Sequence, residues 1–380
     1  MFSSPGRRFL VAAHVLKRLV CRKLSAEATI TPAKPLTVFV RVPYAQEGSQ
    51  NLSVLRKSLA SSVKLYVGDM EAKIDPPADT DVYVAKDPLE KDLKIMKPKC
   101  RLIVVPYAGI LKVTQEKLQK TGLLVGNLHH NAGATAEMAL SLLLACAKHV
   151  IRADQLMRKN DWSARGLPIN PETGKIDSIE QAQFEGKKMV VVGYGQLGKR
   201  VARMGVGLGM QVTALRGSLG KGAGYTDEIG VRVRPSCDLV ECLKDVRALV
   251  LCCPGTSDTI GMIGARELEL MPESAILVNV GRGPVVDEEA LYNALKNRSI
   301  FAAGIDTWYN YPKDFKSRSS TAPSKFPFSE LNNVIMSPHR GGGIGCAEVE
   351  ELRMMHLADG LNKVAGGRDW PHLFSLKAGY

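Results

Sequence analysis

Met189-Val-Val-Val-Gly193-Tyr-Gly195-Gln-Leu-Gly198 is an apolar, β-branched run that breaks into G-x-G-x-x-G. Small and apolar residues at helical spacing follow it: Val201, Ala202, Met204, Gly205 and Leu208. A strand turning sharply into a helix gives each glycine a task. Gly193 permits the tight turn, Gly195 lets the backbone approach a pyrophosphate, and Gly198 lets helix and strand lie close. The positive end of the helix dipole, with Gln196 and Leu197 in its first turn, then meets the phosphate charge. The stretch predicts a dinucleotide-binding βαβ unit; a glycine-rich turn in an ordinary α/β domain is the plainer alternative.

Outward from this loop the chain alternates short β-rich runs with helical patterns, which predicts parallel sheets. On the C-terminal side the expected strands are Met189–Gly193, Gln211–Leu215, Val231–Arg234, Ala248–Cys252, Ala275–Val280, Phe301–Ile305 and Asn333–Met336. These suffice for one complete doubly wound nucleotide domain. An earlier series covers Leu36–Val42, Val63–Gly68, Asp81–Ala85, Arg101–Pro106 and Leu123–Asn127. Between the two, Thr135–Val150 is apolar nearly all round, the pattern of a long buried helix joining two lobes. Trp162–Gln183 is polar and turn-rich, and reads as a surface insertion. Lys313–Lys325 reads as a solvated loop, and Gly345–Lys363 is helical in pattern and needs a packing partner. A lobe precedes the nucleotide domain, so a ligand cleft is expected between the two.

At 380 residues, two domains are the default. The net charge of +13 is unevenly placed. Residues 1–26 hold Arg7, Arg8, Lys17, Arg18, Arg22 and Lys23 and no acid, and removing those six charges leaves +7. That remainder argues against a nucleic-acid surface, and no apolar run has the length of a bilayer span. The N-terminal stretch also carries Ser3, Ser4 and Ser25, with apolar residues spaced for one helical face. Arg-rich, amphipathic and acid-free over its first 26 residues, the stretch 1–28 fits a transit peptide, mitochondrial first, with plastid or cytoplasmic residence as alternatives. A secretory signal is the rival, but Lys17 and Arg18 follow its apolar run directly. The eight cysteines show no C-x-x-C and no metal-ligand spacing with histidine, so no metal site is expected and they read as reduced core thiols.

Three further segments fall where strands of the second series should end. Val278-Asn279-Val280-Gly281-Arg282-Gly283-Pro284 sets a cation just past an apolar strand; Gly304-Ile305-Asp306-Thr307-Trp308 follows the next; Ser337-Pro338-His339-Arg340 closes the last. Ligands of open α/β sheets bind outside the carboxyl ends of strands. Arg282 can hold a carboxylate or carbonyl with its rigid fork of donors, and His339 can exchange a proton near neutral pH. Alone, each would read as a salt bridge or a turn.

The ordered set of glycine loop, N-V-G-R-G-P-V-V-D, G-I-D-x-W and S-P-H-R-G-G resembles the D-isomer-specific 2-hydroxyacid dehydrogenase superfamily, over about residues 36–365. The resemblance implies an α/β chain of two doubly wound domains. A Rossmann dinucleotide-binding domain (135–339) is inserted into a flavodoxin-like substrate domain (36–134 and 340–380). It implies a homodimer, a nicotinamide cofactor and a small 2-oxo or D-2-hydroxy acid. By motif, Arg282 becomes the substrate anchor, His339 the acid/base, and Asp306 the residue near the nicotinamide carboxamide. Cys253 and Pro254, with Val280, line the cofactor cleft. Tyr107, Ala108 and Gly109 occupy the place where backbone N–H groups hold the substrate carboxylate.

Two departures matter. NAD-binding members place an Asp near the end of the second strand to accept the ribose 2′-OH; here Arg216 stands there, 21 residues after Gly195, with Ser218 and Lys221 close by. A cation would pair with a 2′-phosphate, so NADP is the expected preference and NAD the alternative. A solvent-facing Arg with little discrimination is the plainer reading. The family's catalytic Glu falls on Tyr311 in Trp308-Tyr-Asn-Tyr-Pro312. A neutral phenol cannot raise a histidine's pKa as a carboxylate does, so carbonyl reduction should favour a lower pH. Formate dehydrogenases of the superfamily also lack the Glu, and Asn131 stands six residues before Glu137 as in those enzymes. Formate oxidation and a non-enzymatic dinucleotide-sensing scaffold therefore stay open beside 2-oxo acid reduction. His129 and His130 read as loop histidines.

Overall fold

A computed structural model describes residues 34–165, 181–343 and 345–379. The stretch read as a transit peptide and most of Trp162–Gln183 lie outside the described residues. The chain divides into two compact units, Met1–His130 with Cys346–Tyr380, and Asn131–Gly345. The sequence reading draws these lines at 134/135 and 339/340.

The first unit is built on β1 (Leu36–Arg41), β2 (Val63–Val67), β3 (Val82–Ala85), β4 (Leu102–Val105) and β5 (Leu124–Asn127). All pairs are parallel, in the order β2-β1-β3-β4-β5, which is the flavodoxin-like winding. β1, β3 and β4 are buried along their whole length, as unbroken aliphatic runs covered on both faces should be. The helix Gln50–Ser58 starts where the Ser49 hydroxyl accepts from the Leu52 N–H (3.2 Å), and Arg56 and Lys57 sit at its negative end. The C-terminal helix Ala347–Ala365 packs Met354, Leu357, Ala358, Leu361 and Val364 into the core of β1 and β3, so the tail finds its partner here. At the end of β1, buried Arg41 donates to Asp92 (2.8 Å), which also accepts from Tyr83 (2.7 Å).

The second unit holds β6 (Lys188–Val192), β7 (Gln211–Arg216), β8 (Tyr225–Thr226), β9 (Arg232–Pro235), β10 (Val246–Leu251), β11 (Ile276–Asn279), β12 (Ala302–Ile305) and β13 (Val334–Met336). Their order is β13-β12-β11-β10-β6-β7-β9-β8. Every pair is parallel except β8 with β9, and β8 is a two-residue strand that the sequence pattern does not announce. Strand order reverses between β6 and β10, the switch point at which such sheets bind ligands. The helix Ala132–Lys148 buries one stripe, Ala132, Ala136, Ala139, Leu142, Leu143, Cys146 and Ala147, rather than its whole circumference. It lies so close to β12 that a side chain at Gly304 would meet the Leu142 Cβ at 2.8 Å.

Candidate active site

The loop after β6 is shaped by close backbone approach. Gly193 takes a φ of 96°, in the left-handed region, and an added Cβ would stand 2.9 Å from the Cys253 N. An added Cβ at Gly198 would collide with the Gly193 carbonyl, so the helix Gln196–Gly207 can rest on the turn only with glycine there. Gly195 differs: a side chain there would meet nothing within 4 Å. The first-turn N–H groups of Gln196, Leu197 and Gly198 lie outside the helical ladder and stay available as donors beside the turn. These residues fit a dinucleotide pyrophosphate, because the loop holds space and donors without any internal need for the second glycine. Cys253 is buried against the turn and burial pushes its thiol up to about 11, so it lines the loop as an unreactive thiol. The Pro254 carbonyl accepts from the Thr259 hydroxyl (2.6 Å), fixing the adjoining segment.

β7 ends beside this loop, with the Gly193 N–H donating to the Leu215 carbonyl (2.9 Å). The next residue, Arg216, is exposed, and its Nε donates to the Ser218 hydroxyl (2.8 Å). Among the described residues its terminal nitrogens have no partner. Tyr194, within the glycine motif, donates its hydroxyl to Asp227, a tie that sequence reasoning missed.

The ends of β11, β12 and β13 deliver the remaining groups. Buried Asn279 accepts from the Gly281 N–H (3.1 Å) and donates to the Arg282 carbonyl (3.0 Å), which clasps the backbone around Arg282. The neighbouring Val280 N–H donates to the Leu251 carbonyl (3.2 Å). The Arg282 side chain is exposed apart from one bond to the Gly281 carbonyl (2.7 Å). Asp306 is 1 % exposed and its carboxylate is committed to the His339 turn. It accepts from the Ser337 hydroxyl (2.5 Å) and from the Arg340 and Gly341 N–H groups (3.0 Å each). Held this way, His339 keeps a φ of 55°, a left-handed conformation that costs a non-glycine residue energy and needs such anchoring.

His339 meets Tyr311, the residue on which the sequence reading placed the expected carboxylate. The Tyr311 hydroxyl lies 2.8 Å from His339 Nδ1 and accepts from the Trp308 N–H (3.0 Å). Trp308 is pinned in turn by its indole N–H donating to the Ser337 carbonyl (2.8 Å). Burial, helped by the Arg282 charge, lowers the His339 pKa below the usual histidine value, and Asp306 only partly opposes this. Burial raises the Tyr311 pKa, while Arg282 pulls it down. Arg282 is therefore felt by both groups, and at neutral pH the pair is an imidazole and a phenol. A neutral His339 that accepts the phenol proton at Nδ1 carries its own proton at Nε2. Asp314 does not serve His339; its carboxylate accepts from the Ser317 N–H (2.8 Å). Asn131 opens the helix Ala132–Lys148 as its N-cap, and its amide stands 2.9 Å from where a Gly342 side chain would begin.

In the first unit, Tyr107, Ala108 and Gly109 form the turn after β4. The Leu128 N–H donates to the Tyr107 carbonyl (3.3 Å) and the Asn127 amide to the Ala108 carbonyl (2.8 Å). Among the described residues, the Ala108 and Gly109 N–H groups have no acceptor, leaving adjacent donors suited to an anion. His130 has a partner that the sequence does not announce. It lies in the loop before the helix Ala132–Lys148, as read, but is only 5 % exposed, and its Nε2 accepts from Arg353 Nε (3.1 Å). Burial first, then the Arg353 charge, holds its pKa down to about 3. Arg353 stands 223 residues away on the C-terminal helix, and no local motif marks the pair.

Comparison with known proteins agrees with this architecture. The family description "D-isomer specific 2-hydroxyacid dehydrogenase, NAD binding domain" matches residues 140–341. A glyoxylate reductase of Thermococcus gammatolerans is 32% identical over 298 residues, 76% of this chain and 83% of that protein. Among solved structures, a D-isomer specific 2-hydroxyacid dehydrogenase from Xanthobacter autotrophicus Py2, in complex with NADPH and MES, superposes with a TM-score of 0.70 at 18% identity, covering 92% of this chain and 100% of that one. An NADPH-dependent glyoxylate/hydroxypyruvate reductase from Sinorhizobium meliloti gives 0.68 at 16% identity, covering 91% and 100%. The chain belongs to the D-isomer-specific 2-hydroxyacid dehydrogenase family. It is an NAD(P)-dependent oxidoreductase of small 2-oxo and 2-hydroxy acids.

Proposed function

We propose that the protein works as a reductase of short 2-oxo acids of the glyoxylate type, prefers NADP(H), and replaces the family's histidine–carboxylate pair with His339 and Tyr311. The observation that carries this reading is the 2.8 Å bond between Tyr311 and His339 Nδ1, beside the Arg282 charge. The bound nicotinamide supplies or accepts the hydride. Gly193, Gly195 and Gly198 with the first-turn donors of Gln196 and Leu197 would hold its pyrophosphate, Arg216 and Ser218 its 2′-phosphate, and Cys253, Pro254, Val280 and Asp306 would border it. Arg282 binds the substrate's oxygens and favours negative charge developing on the carbonyl. As the imidazolium, His339 donates its Nε2 proton to the carbonyl oxygen and keeps its Nδ1 proton, given to the Tyr311 oxygen, which fixes the ring. The Ala108 and Gly109 donors, with Tyr107 at the head of their turn, suit the substrate carboxylate.

Glyoxylate, hydroxypyruvate, pyruvate, phenylpyruvate and formate, assayed with both cofactors between pH 5 and 9, test the reading. Reduction of a short 2-oxo acid with NADPH is expected. Formate oxidation with no 2-oxo acid turnover would replace it, with Asn131 as the residue supporting that outcome. His339→Ala should lose at least ~10²-fold in rate while still binding dinucleotide.

A homodimer and organelle residence complete the proposal. The helix Val150–Met157 buries none of its residues, and Val150, Ile151, Met157 and nearby Trp162 are exposed apolar groups, which supports a second copy covering them. Light scattering tests the dimer. Import of a fusion carrying residues 1–28 tests the targeting.

A further inference from the structure

Arg353 is 6 % exposed, an unusual place for a guanidinium, and its partners are specific. Its Cζ lies 4.2 Å from the Tyr44 ring centroid and 4.5 Å from that of Tyr107. The two rings meet edge to face at 6.0 Å. The plane is fixed at its ends by Nε donating to His130 (3.1 Å) and by an ion pair with Glu350 (3.1 Å). Buried and stacked in this way, a cation–π contact is stronger than at the surface. Tyr107 is also the residue whose carbonyl receives the Leu128 N–H, and it heads the turn bearing the Ala108 and Gly109 donors, unpaired among the described residues. Clamping the ring therefore fixes the turn from the side-chain end while Asn127 and Leu128 fix it from the backbone end.

We propose that Arg353 is a positioning residue for the oxidoreductase reaction: its guanidinium, stacked against Tyr44 and Tyr107, holds the Tyr107–Gly109 turn so that two backbone donors stay aimed for the carboxylate of a 2-oxo acid. Its link to the carboxylate rests on the function proposed above; the clamp itself does not. The contribution is preorganisation. A turn already held in its binding geometry loses less freedom when the anion arrives, so the effect falls on binding of the oxo acid and spares the dinucleotide.

The test compares the full chain with Arg353→Met, Tyr44→Leu and Tyr44→Phe. Two readouts are taken: steady-state constants for both substrates, and hydrogen exchange at the Leu128 amide. Arg353→Met and Tyr44→Leu should raise KM for the oxo acid by at least ~10-fold, leave the KM for dinucleotide within about twofold, and speed exchange at Leu128. Tyr44→Phe, which keeps the ring face, should behave as the wild type. An unchanged oxo-acid KM with unchanged Leu128 exchange would overturn the proposal. Tyr44→Phe as damaging as Tyr44→Leu, or equal loss of dinucleotide binding, would do so as well. If the wild type reduces no 2-oxo acid, the proposed function falls, while exchange at Leu128 still decides the clamp.

Discussion

Replacing Tyr311 with Glu would place a carboxylate beside His339 and should move the pH profile of carbonyl reduction to higher pH. The phenol oxygen lies 2.8 Å from Nδ1, and the shorter Glu side chain would leave its charge somewhat farther away. At about 4 Å and an effective dielectric near 20, opposite charges attract by roughly 4 kcal/mol. Tyr311 is 46 % exposed, so water weakens this, and a rise of ~1–3 units in the histidine pKa is the reasonable range. In the wild type, burial and Arg282 lower that pKa. Reduction needs the imidazolium, so its rate should fall as pH rises through a value below the usual histidine pKa. Tyr311→Glu should carry that limb upward by ~1–3 units, and where His339 is mostly neutral each unit brings up to about tenfold more of the acid form. Tyr311→Phe should lower kcat with no upward movement of the limb, since it removes the hold on Nδ1 and adds no charge. The assay is kcat/KM for the oxo acid from pH 5 to 9 at saturating reduced dinucleotide. Superimposable limbs for wild type and Tyr311→Glu would show that His339 is not the proton donor.

Other perturbations separate folding from binding. Gly195→Ala should leave the melting temperature near wild type and abolish measurable dinucleotide affinity, because its Cβ meets only open space in the free chain. Gly198→Ala should cost ~1–3 kcal/mol or more in chemical denaturation, since its Cβ would strike the Gly193 carbonyl. Arg216→Asp should lower kcat/KM with NADPH by about 10–150-fold, the worth of one charge-assisted bond of ~1.5–3 kcal/mol, and should spare NADH; an unchanged cofactor ratio would refute the preference. His130 is held down to about 3, so the unfolded chain takes up its proton first as pH falls through the usual value. Stability should therefore decline below about pH 6.5, by at most roughly 1.4 kcal/mol per pH unit for this proton, and His130→Gln should flatten that decline in urea titrations at pH 7 and 5.

How much of this could be read from the chain followed the range of each interaction. The glycine loop was legible because strand, turn and helix are consecutive, and the three strand ends because apolar runs stop abruptly at Arg282, Asp306 and His339. The meeting of Tyr311 with His339 was legible only as an aligned position; that the phenol reaches Nδ1 is a fact of tertiary packing. β8 was missed because two residues carry no periodicity. His130 was read as a loop histidine and is one, but its burial was not legible because it depends on Arg353, Tyr44 and Tyr107, which belong to segments far apart in the sequence. Asp227 went unnoticed as the partner of Tyr194 for the same reason.

Asp306 shows why the phenol matters for the chemistry. A buried carboxylate one strand away from the histidine would be the natural substitute for a missing Glu. Yet both of its oxygens are occupied, by the Ser337 hydroxyl and by two backbone N–H groups of the turn that carries His339. Its charge raises the histidine pKa from a distance, but burial and Arg282 outweigh it. The carboxylate thus works as a fastener for a left-handed His339, and among the described residues the direct hold on the ring nitrogen is a neutral hydroxyl. A site assembled this way stabilises the imidazole over the imidazolium. On the proposed mechanism, the same balance that weakens His339 as an acid for reduction leaves the ring neutral at neutral pH, and in the tautomer that carries its proton on Nδ1, given to the Tyr311 oxygen, Nε2 is free to act as the base when a 2-hydroxy acid is oxidised. Oxidation should accordingly rise with pH only through the lowered histidine pKa and stay level above it, because Tyr311, its own pKa raised by burial, remains neutral across that range.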